Sequence, residues 1–353
     1  MKKNIKVFII DDSALVRKML TAALESDQQI KVIGTAPDPF IAVKKLKKEK
    51  PDVITLDIEM PKMDGLTFLE KLMKQSPMPV VICSSLTLKN SQTALKAIEH
   101  GAVDIITKPS MGTKQFFEES KITICDTVKA ASMAKINSIL SKPQIKIEKI
   151  SSGSYKKAMI KTTEKIVVIG ASTGGTKAVE EILVNMPENA PGIVCVLHMP
   201  ENFTRSYAQR LNNICKISVK EADSNDVIIP GRALIAPGGL NHTIVQRSGA
   251  KYFVKLKSGP LVNRHRPSVD ILFKSTARYA GSNAVGVILT GMGDDGAKGL
   301  KEMKDAGSYT IGQDEKTSIV YGMPKEAYDI GAVNIQLPLH KITKKIIEMC
   351  SYI

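Results

Sequence analysis

One pattern recurs along most of this chain: a short apolar run, then a segment whose apolar residues fall at helical spacing. The runs Lys6–Ile10, Lys31–Gly34, Val53–Ile58, Val80–Cys83 and Val103–Ile106 read as strands. Helical spacing appears between them, as in Ala14–Leu24 and Phe40–Leu46. The rhythm resumes at Lys165, with strands expected at Ile166–Ile169, Ile193–Leu197, Ala233–Ala236, Ala284–Leu289 and Val333–Ile335. Helices are expected at Thr176–Met186, Phe203–Leu211, Val269–Tyr279 and Gly299–Ala306, the third capped by Ser268 with Asp270 in its first turn. Tyr252–Leu256, between Gly249 and Gly259, predicts an antiparallel excursion. Strands alternating with helices imply βαβ units and parallel sheets covered on both faces.

At 353 residues the chain is too long for one hydrophobic core, so two α/β domains are expected. Residues 1–125 hold five βα units, which suits a flavodoxin-like doubly wound domain. Residues 164–353 form a second, mainly parallel doubly wound domain. Residues 126–163 break the rhythm with Pro143 and Ser151-Ser152-Gly153-Ser154 and read as a linker, although Thr127–Leu140 has the composition to extend a helix. This stretch carries eight Lys/Arg against two Asp/Glu and is the densest in positive charge of a chain with formal net charge +15. A solvated linker accounts for that charge without nucleic acid or membrane.

No run approaches the ~18 apolar residues of a membrane span, and Val7–Ile10 is too short and too acidic at its end to serve as an export signal. A cytoplasmic monomer is expected. The five cysteines form no C-x-x-C pair, which predicts reduced thiols rather than a disulfide framework.

Reactive residues gather where the strands end. In the first domain Asp11 and Asp12 follow the first strand, Asp57 ends the third, Ser84 follows the fourth and Lys108 the fifth. Parallel strands bring all five to one sheet edge. Clustered carboxylates repel one another unless a hard divalent cation neutralises them, and Mg²⁺ favours oxygen ligands. Such a site can receive a phosphoryl group on a carboxylate, with the lysine and the hydroxyl contacting its oxygens.

In the second domain Gly170-Ala-Ser172-Thr-Gly174 matches G-x-S-x-G, a sharp strand-to-helix turn that exposes a nucleophilic serine. The same glycine-rich turn can cradle a dinucleotide phosphate, but no acidic residue closes the next strand about 20 residues on. His198 stands there instead and is the favoured general base, with His242 and His265 as further candidates in loops. The acid of a triad comes from Gly291-Met292-Gly293-Asp294-Asp295-Gly296, where the two adjacent aspartates are equivalent on sequence physics. The surrounding glycines free backbone N–H groups for an oxyanion hole.

Residues 1–125 resemble the receiver domain of bacterial response regulators over their whole length, the run Asp57-Ile-Glu-Met-Pro61-Lys-Met-Asp-Gly65 being typical of it. The resemblance makes Asp57 the phosphoacceptor, Asp12 and Asp11 the Mg²⁺ ligands together with the Glu59 carbonyl, and Ser84 and Lys108 the phosphoryl sensors. Val103 stands where receivers commonly carry an aromatic residue. Residues 164–353 resemble the catalytic domain of the CheB family of chemotaxis protein-glutamate methylesterases, in Ile169–Gly175, His198-Met-Pro200, Ala236-Pro-Gly-Gly239, His265-Arg-Pro-Ser-Val-Asp270, Leu289–Gly296 and Tyr321-Gly-Met-Pro324. That resemblance implies Ser172 as nucleophile, His198 as base, Asp295 as acid and the Met292 N–H in the oxyanion hole. It implies hydrolysis of glutamyl γ-methyl esters on chemoreceptors, with glutamine deamidation by the same route and no cofactor at the esterase site. It further implies a histidine kinase as phosphodonor, and a receiver that covers the Ser172 crevice until Asp57 is phosphorylated. The rival readings are a response regulator whose second half binds DNA, or one whose Gly170–Gly175 loop binds a nucleotide.

Overall fold

A computed structural model describes residues 4–61, 63–109, 114–136 and 165–351. Strands β1 (Ile5–Ile10), β2 (Ile30–Ala36), β3 (Val53–Asp57), β4 (Val80–Ser84) and β5 (Asp104–Thr107) form a parallel sheet in the order β2-β1-β3-β4-β5. They alternate with α1 (Ala14–Glu25), α2 (Pro39–Leu46), α3 (Gly65–Gln75), α4 (Leu88–Glu99) and α5 (Lys114–Ser132). Local chemistry sets where four of these helices begin. Ser13, Asp38, Asp64 and Thr87 each accept a first-turn backbone N–H, and Pro39 occupies the first position of α2 where its missing donor does no harm. Strands β3 and β4 are buried at every residue, as a sheet covered on both faces requires.

Helix α5 runs on to Ser132, seven residues into the stretch expected to be linker, because Val128 and Ala131 are buried against the first sheet. The Lys135 amide then donates to Ile319 O in the second half of the chain. The remainder of the predicted basic linker, residues 137–163, lies outside the described residues.

The second sheet has seven strands: β6 (Ile166–Ala171), β7 (Gly192–Leu197), β8 (Ser218–Glu221), β9 (Arg232–Ile235), β12 (Ala284–Ile288), β13 (Tyr309–Gln313) and β14 (Ile335–Leu337). Their order is β14-β13-β12-β6-β7-β9-β8, parallel throughout. An antiparallel hairpin of β10 (Asn241–Ser248) and β11 (Lys251–Ser258) is the predicted excursion. The helices are α6 (Gly175–Val184), α7 (Phe203–Ile214), α8 (Val269–Tyr279), α9 (Ala297–Asp305), α10 (Met323–Asp329) and α11 (Leu339–Ser351).

Strands β8 and β13 and helix α10 were not expected from the sequence, and β14 begins two residues later than predicted. In β13 polar residues occupy buried positions, which hides the strand from an apolar pattern. They are satisfied internally: Thr310 Oγ1 donates to Ala332 O at 2.7 Å, and Gln313 Oε1 accepts from the Thr290 N–H at 2.8 Å. The chain builds outward from β6 through β7 on one side and returns as β12 to β14 on the other. The order therefore reverses between β6 and β12, and a crevice opens there at the carboxyl ends of the strands.

Candidate active site

Three neighbouring strands deliver the reactive residues of the second domain. Register pairs Ala171 of β6 with Leu197 of β7 and Ile288 of β12 with Gly170 of β6. Ser172, His198 and the loop after β12 therefore leave the sheet side by side. The Ser172 amide donates to Thr290 O at 3.0 Å and the His198 amide to Ala171 O at 3.2 Å, which ties the three strand ends together. Gly174 turns the chain into α6 with φ +78°, a region open to glycine at little cost. Gly291 lies directly behind the serine: a Cβ there would sit 2.7 Å from Ser172 Cβ and 2.4 Å from Met323 Sδ.

His198 Nε2 lies 2.8 Å from Asp295 Oδ2, and both side chains are buried. Asp294 is exposed, so the structure distinguishes two aspartates that the sequence left equivalent. Asp295 has partners besides His198. It accepts from Ser268 Oγ at 2.7 Å, Asn263 Nδ2 at 3.0 Å, the Val269 N–H at 2.7 Å and the Asp270 N–H at 3.2 Å. The last two donors are the first turn of α8. Ser268 stands at the cap position, but its hydroxyl makes no capping bond. The cap expected from Ser268 is supplied by Asp295, at the positive end of the helix dipole. Burial pushes the Asp295 carboxyl up, but the hydrogen bonds from His198, Ser268 and Asn263 and the attraction of a charged His198 hold it well below the usual carboxylate range.

Because Asp295 faces Nε2, that nitrogen carries the proton and Nδ1 keeps the lone pair. Nδ1 is buried without a hydrogen-bond partner. The ring of His265 stacks on His198, with centroids 3.5 Å apart and planes 8° apart. Burial and then the charge of a protonated His198 push His265 down to about 3, so it stays neutral across the working range. His242 has a structural place: Nδ1 accepts from the Ser268 N–H at 3.1 Å, and Nε2 faces Pro260 O at 2.8 Å. Met292 is half-buried in the loop after β12, its side chain packed against the buried cluster that includes Ile319 and Val320.

The first sheet gathers its predicted residues at one edge. Asp11, Asp12 and Asp57 each present an oxygen within 4.8 Å of the others. Lys108 Nζ lies 2.7 Å from Asp57 Oδ2 and 3.3 Å from Asp11 Oδ2. Burial raises the Asp57 carboxyl to about 6 and pushes Asp11 up as well. Burial alone would lower Lys108, but its bonds to Asp57 and Asp11 outweigh that and hold the ammonium above its ordinary range. Asp11 Oδ2 is buried, with the Lys108 ammonium at 3.3 Å as its ion-pair partner. A buried carboxylate oxygen among three acids is a fitting ligand for a hard divalent cation, and the acidic cluster is typical of a Mg²⁺ site. The Glu59 side chain turns to Asn90 Nδ2 at 2.9 Å, and Ser84 is buried at the end of β4.

Comparison with known proteins finds two families along the chain. Residues 167–346 match the family described as CheB methylesterase, and residues 7–119 match the response regulator receiver domain. A protein-glutamate methylesterase/protein-glutamine glutaminase of Geobacter metallireducens is 57% identical, with 99% of each chain aligned. A relative of the same description from Anaeromyxobacter dehalogenans is 54% identical over 99% of this chain and 97% of its own. The chain belongs to the CheB family. The crystal structure of the Thermotoga maritima CheB methylesterase catalytic domain is 41% identical, with TM-score 0.52, and covers 53% of this chain and 99% of its own. Against this CheB background both rival readings, DNA-binding and nucleotide-binding, fall away: the second half is the family's methylesterase domain.

In this CheB chain the receiver lies against the methylesterase site. Thr173 Oγ1, one residue after Ser172, donates to Asp104 Oδ2 of β5 at 2.7 Å. Arg264 and Arg266 pair with Asp126 and Glu119 of α5, and Arg210 of α7 pairs with Glu99 of α4 at 2.6 Å. Burial raises the Asp104 carboxyl to about 6. Sequence reasoning did not assign Asn263 or Asp270 to the site. Asp270 accepts from Asn263 Nδ2 at 2.7 Å and from the Gly299 N–H at 2.6 Å, so it braces the loop that carries His265. Asp270 closes the run that begins at His265 and reads as a first-turn acid, whereas Asn263 lies outside that run. All five cysteines are free thiols, as expected, and no helix of the described residues is long and apolar enough to cross a membrane.

Proposed function

We propose that the chain removes the methyl group from glutamyl γ-methyl esters of chemoreceptors, and deamidates receptor glutamines, under control of phosphorylation at Asp57. The observation that carries this reading is the buried His198–Asp295 pair at 2.8 Å, on the strand beside Ser172, with Nδ1 left unpartnered. His198 Nδ1 takes the Ser172 hydroxyl proton as Oγ attacks the ester carbonyl. The developing oxyanion is received by backbone N–H groups of the Met292 loop. The same nitrogen returns the proton to the leaving methoxide, which departs as methanol. Water attacks the acyl-serine with Nδ1 again as base and releases glutamate. With glutamine the leaving group is ammonia. Asp295 holds the imidazole in one orientation and stabilises its charged form throughout.

In the receiver, Asp57 accepts the phosphoryl group from a chemotaxis histidine kinase, and Lys108 and Ser84 contact its oxygens. Asp11, Asp12, Asp57 and the Glu59 carbonyl would hold Mg²⁺, which supplies charge neutralisation during phosphoryl transfer. The receiver's contacts at Thr173, Arg264 and Arg266 support its acting as a cover on the Ser172 crevice, removed when Asp57 is phosphorylated. We place the chain in the cytoplasm as a monomer, with residues 1–125 and 164–353 as its working domains and the basic linker between them.

The test is methanol release from methylated chemoreceptor membranes, with and without a small-molecule phosphodonor, using Ser172→Ala as the blank. Release should rise with phosphodonor and vanish in the variant. Release that is the same in both proteins would refute the reading.

A further inference from the structure

Three receiver carboxylates end on polar groups that border the reactive residues. Asp104 takes the hydroxyl beside Ser172. Glu119 Oε2 lies 3.1 Å from Arg266 Nη2, and Asp126 Oδ1 lies 3.1 Å from Arg264 Nη1. The two arginines flank His265, whose ring covers the catalytic imidazole.

Arg266 is built as a fixed receptor. Its side chain is only 16% exposed. Nε donates to Gly239 O at 2.9 Å and Nη1 to Gly259 O at 2.8 Å, so the guanidinium cannot swing, and Nη2 is the nitrogen that meets a carboxylate. Arg264 is different: its side chain is 64% exposed, and φ +68° holds its backbone in a region that non-glycine residues rarely adopt. A pair of guanidinium groups, one fixed and one free, beside a nucleophile is suited to carboxylates. When the receiver leaves, Arg266 loses the Glu119 carboxylate but keeps its bonds to the Gly239 and Gly259 carbonyls, so Nη2 is left facing the vacated space. Substrate is what next occupies the space.

Resting on the methylesterase reading, we infer that the receiver's acids stand in for substrate, and that Arg264 and Arg266 select ester groups presented within an acidic peptide segment. The bland alternative is that the two ion pairs only fasten the receiver.

Kinetics separate the two. The full chain, saturated with small-molecule phosphodonor, is given two peptides of equal length carrying one glutamyl methyl ester. One has Glu neighbours and the other Gln neighbours. Wild type should show a KM roughly tenfold lower for the acidic peptide, the scale of one charge-assisted contact. Arg266→Gln and the exposed Arg264→Gln should each shrink that ratio, and Arg266→Lys should restore part of it. Equal KM values for the two peptides in wild type, or variants that shift both peptides alike, would overturn the inference while leaving the esterase intact. Cleavage of neither peptide beyond the Ser172→Ala blank would remove the methylesterase reading and this inference with it.

Discussion

At the scale of single residues, two groups that touch no substrate set the behaviour of the site. The stacked His265 restrains the His198 ring without sharing its proton, because burial holds it neutral. Its role is one of position. His265→Phe should keep the stack and lower kcat by no more than a few-fold, while His265→Ala should cost about tenfold or more, in line with the sensitivity of catalysis to small misplacements; steady-state kinetics of both variants decide it. Asp104 is the second. The groups facing it are the Thr173 hydroxyl, its own Ile105 N–H and, at longer range, the His198 imidazole. An acid whose pKa is raised by docking binds its proton more tightly when docked. Docking should therefore strengthen as pH falls through about 6, and level off near the ordinary carboxylate value of about 4. Asp104→Asn lacks this dependence. The ratio of unphosphorylated wild-type to Asp104→Asn activity should exceed one at pH about 8 and fall toward one near pH 5, groups common to both proteins cancelling in the ratio. A ratio flat with pH would count against it.

At the scale of elements, backbone placement matters as much as the reactive side chains. Gly291 lets the loop after β12 pass behind Ser172 with no room for a methyl group. Gly291→Ala should lower kcat about a hundredfold and also lower the melting temperature, read by activity and thermal scan of the same sample. Gly65 plays a like part at the start of α3, where a Cβ would lie 2.0 Å from the Asp57 carbonyl oxygen. Gly65→Ala should slow incorporation of phosphate from a small-molecule donor while the esterase of a phosphate-free chain is unaffected. Strand ends were the legible part of this sequence, since Ser172, His198, Asp57 and Lys108 each terminate an apolar run. What stayed hidden has a common cause. Thr310 and Gln313 are polar residues inside a buried strand, paired through side chains that a periodicity cannot see. Ser268 reads as a helix cap by local rules, yet its hydroxyl goes to Asp295, 27 residues away. Local pattern carries no information on which distant group will claim a donor.

At the scale of the whole molecule, the two domains meet through pairs 69, 138 and 147 residues apart in the chain, and the sequence holds no trace of them. The gathering of Asp11, Asp12, Asp57 and Lys108 at one sheet edge and of Ser172 and His198 at another was legible; the surface that joins the two halves was not, because its polar contacts are single groups on otherwise ordinary helices and loops. The apolar side of the same junction has a different consequence. Ile319 and Val320 of the catalytic half belong to the receiver's own buried cluster, with Val103, Ile106, Ile124 and Val128. Ile319 also lies against Gly174 in the serine turn. Heat should therefore disrupt the resting chain as a single cooperative unit. Once the cover is released, the melt should separate into two steps, the receiver losing first the support it borrowed from its neighbour. Calorimetry of the resting chain and of Ile319→Asp, one endotherm against two, would make the junction visible as heat.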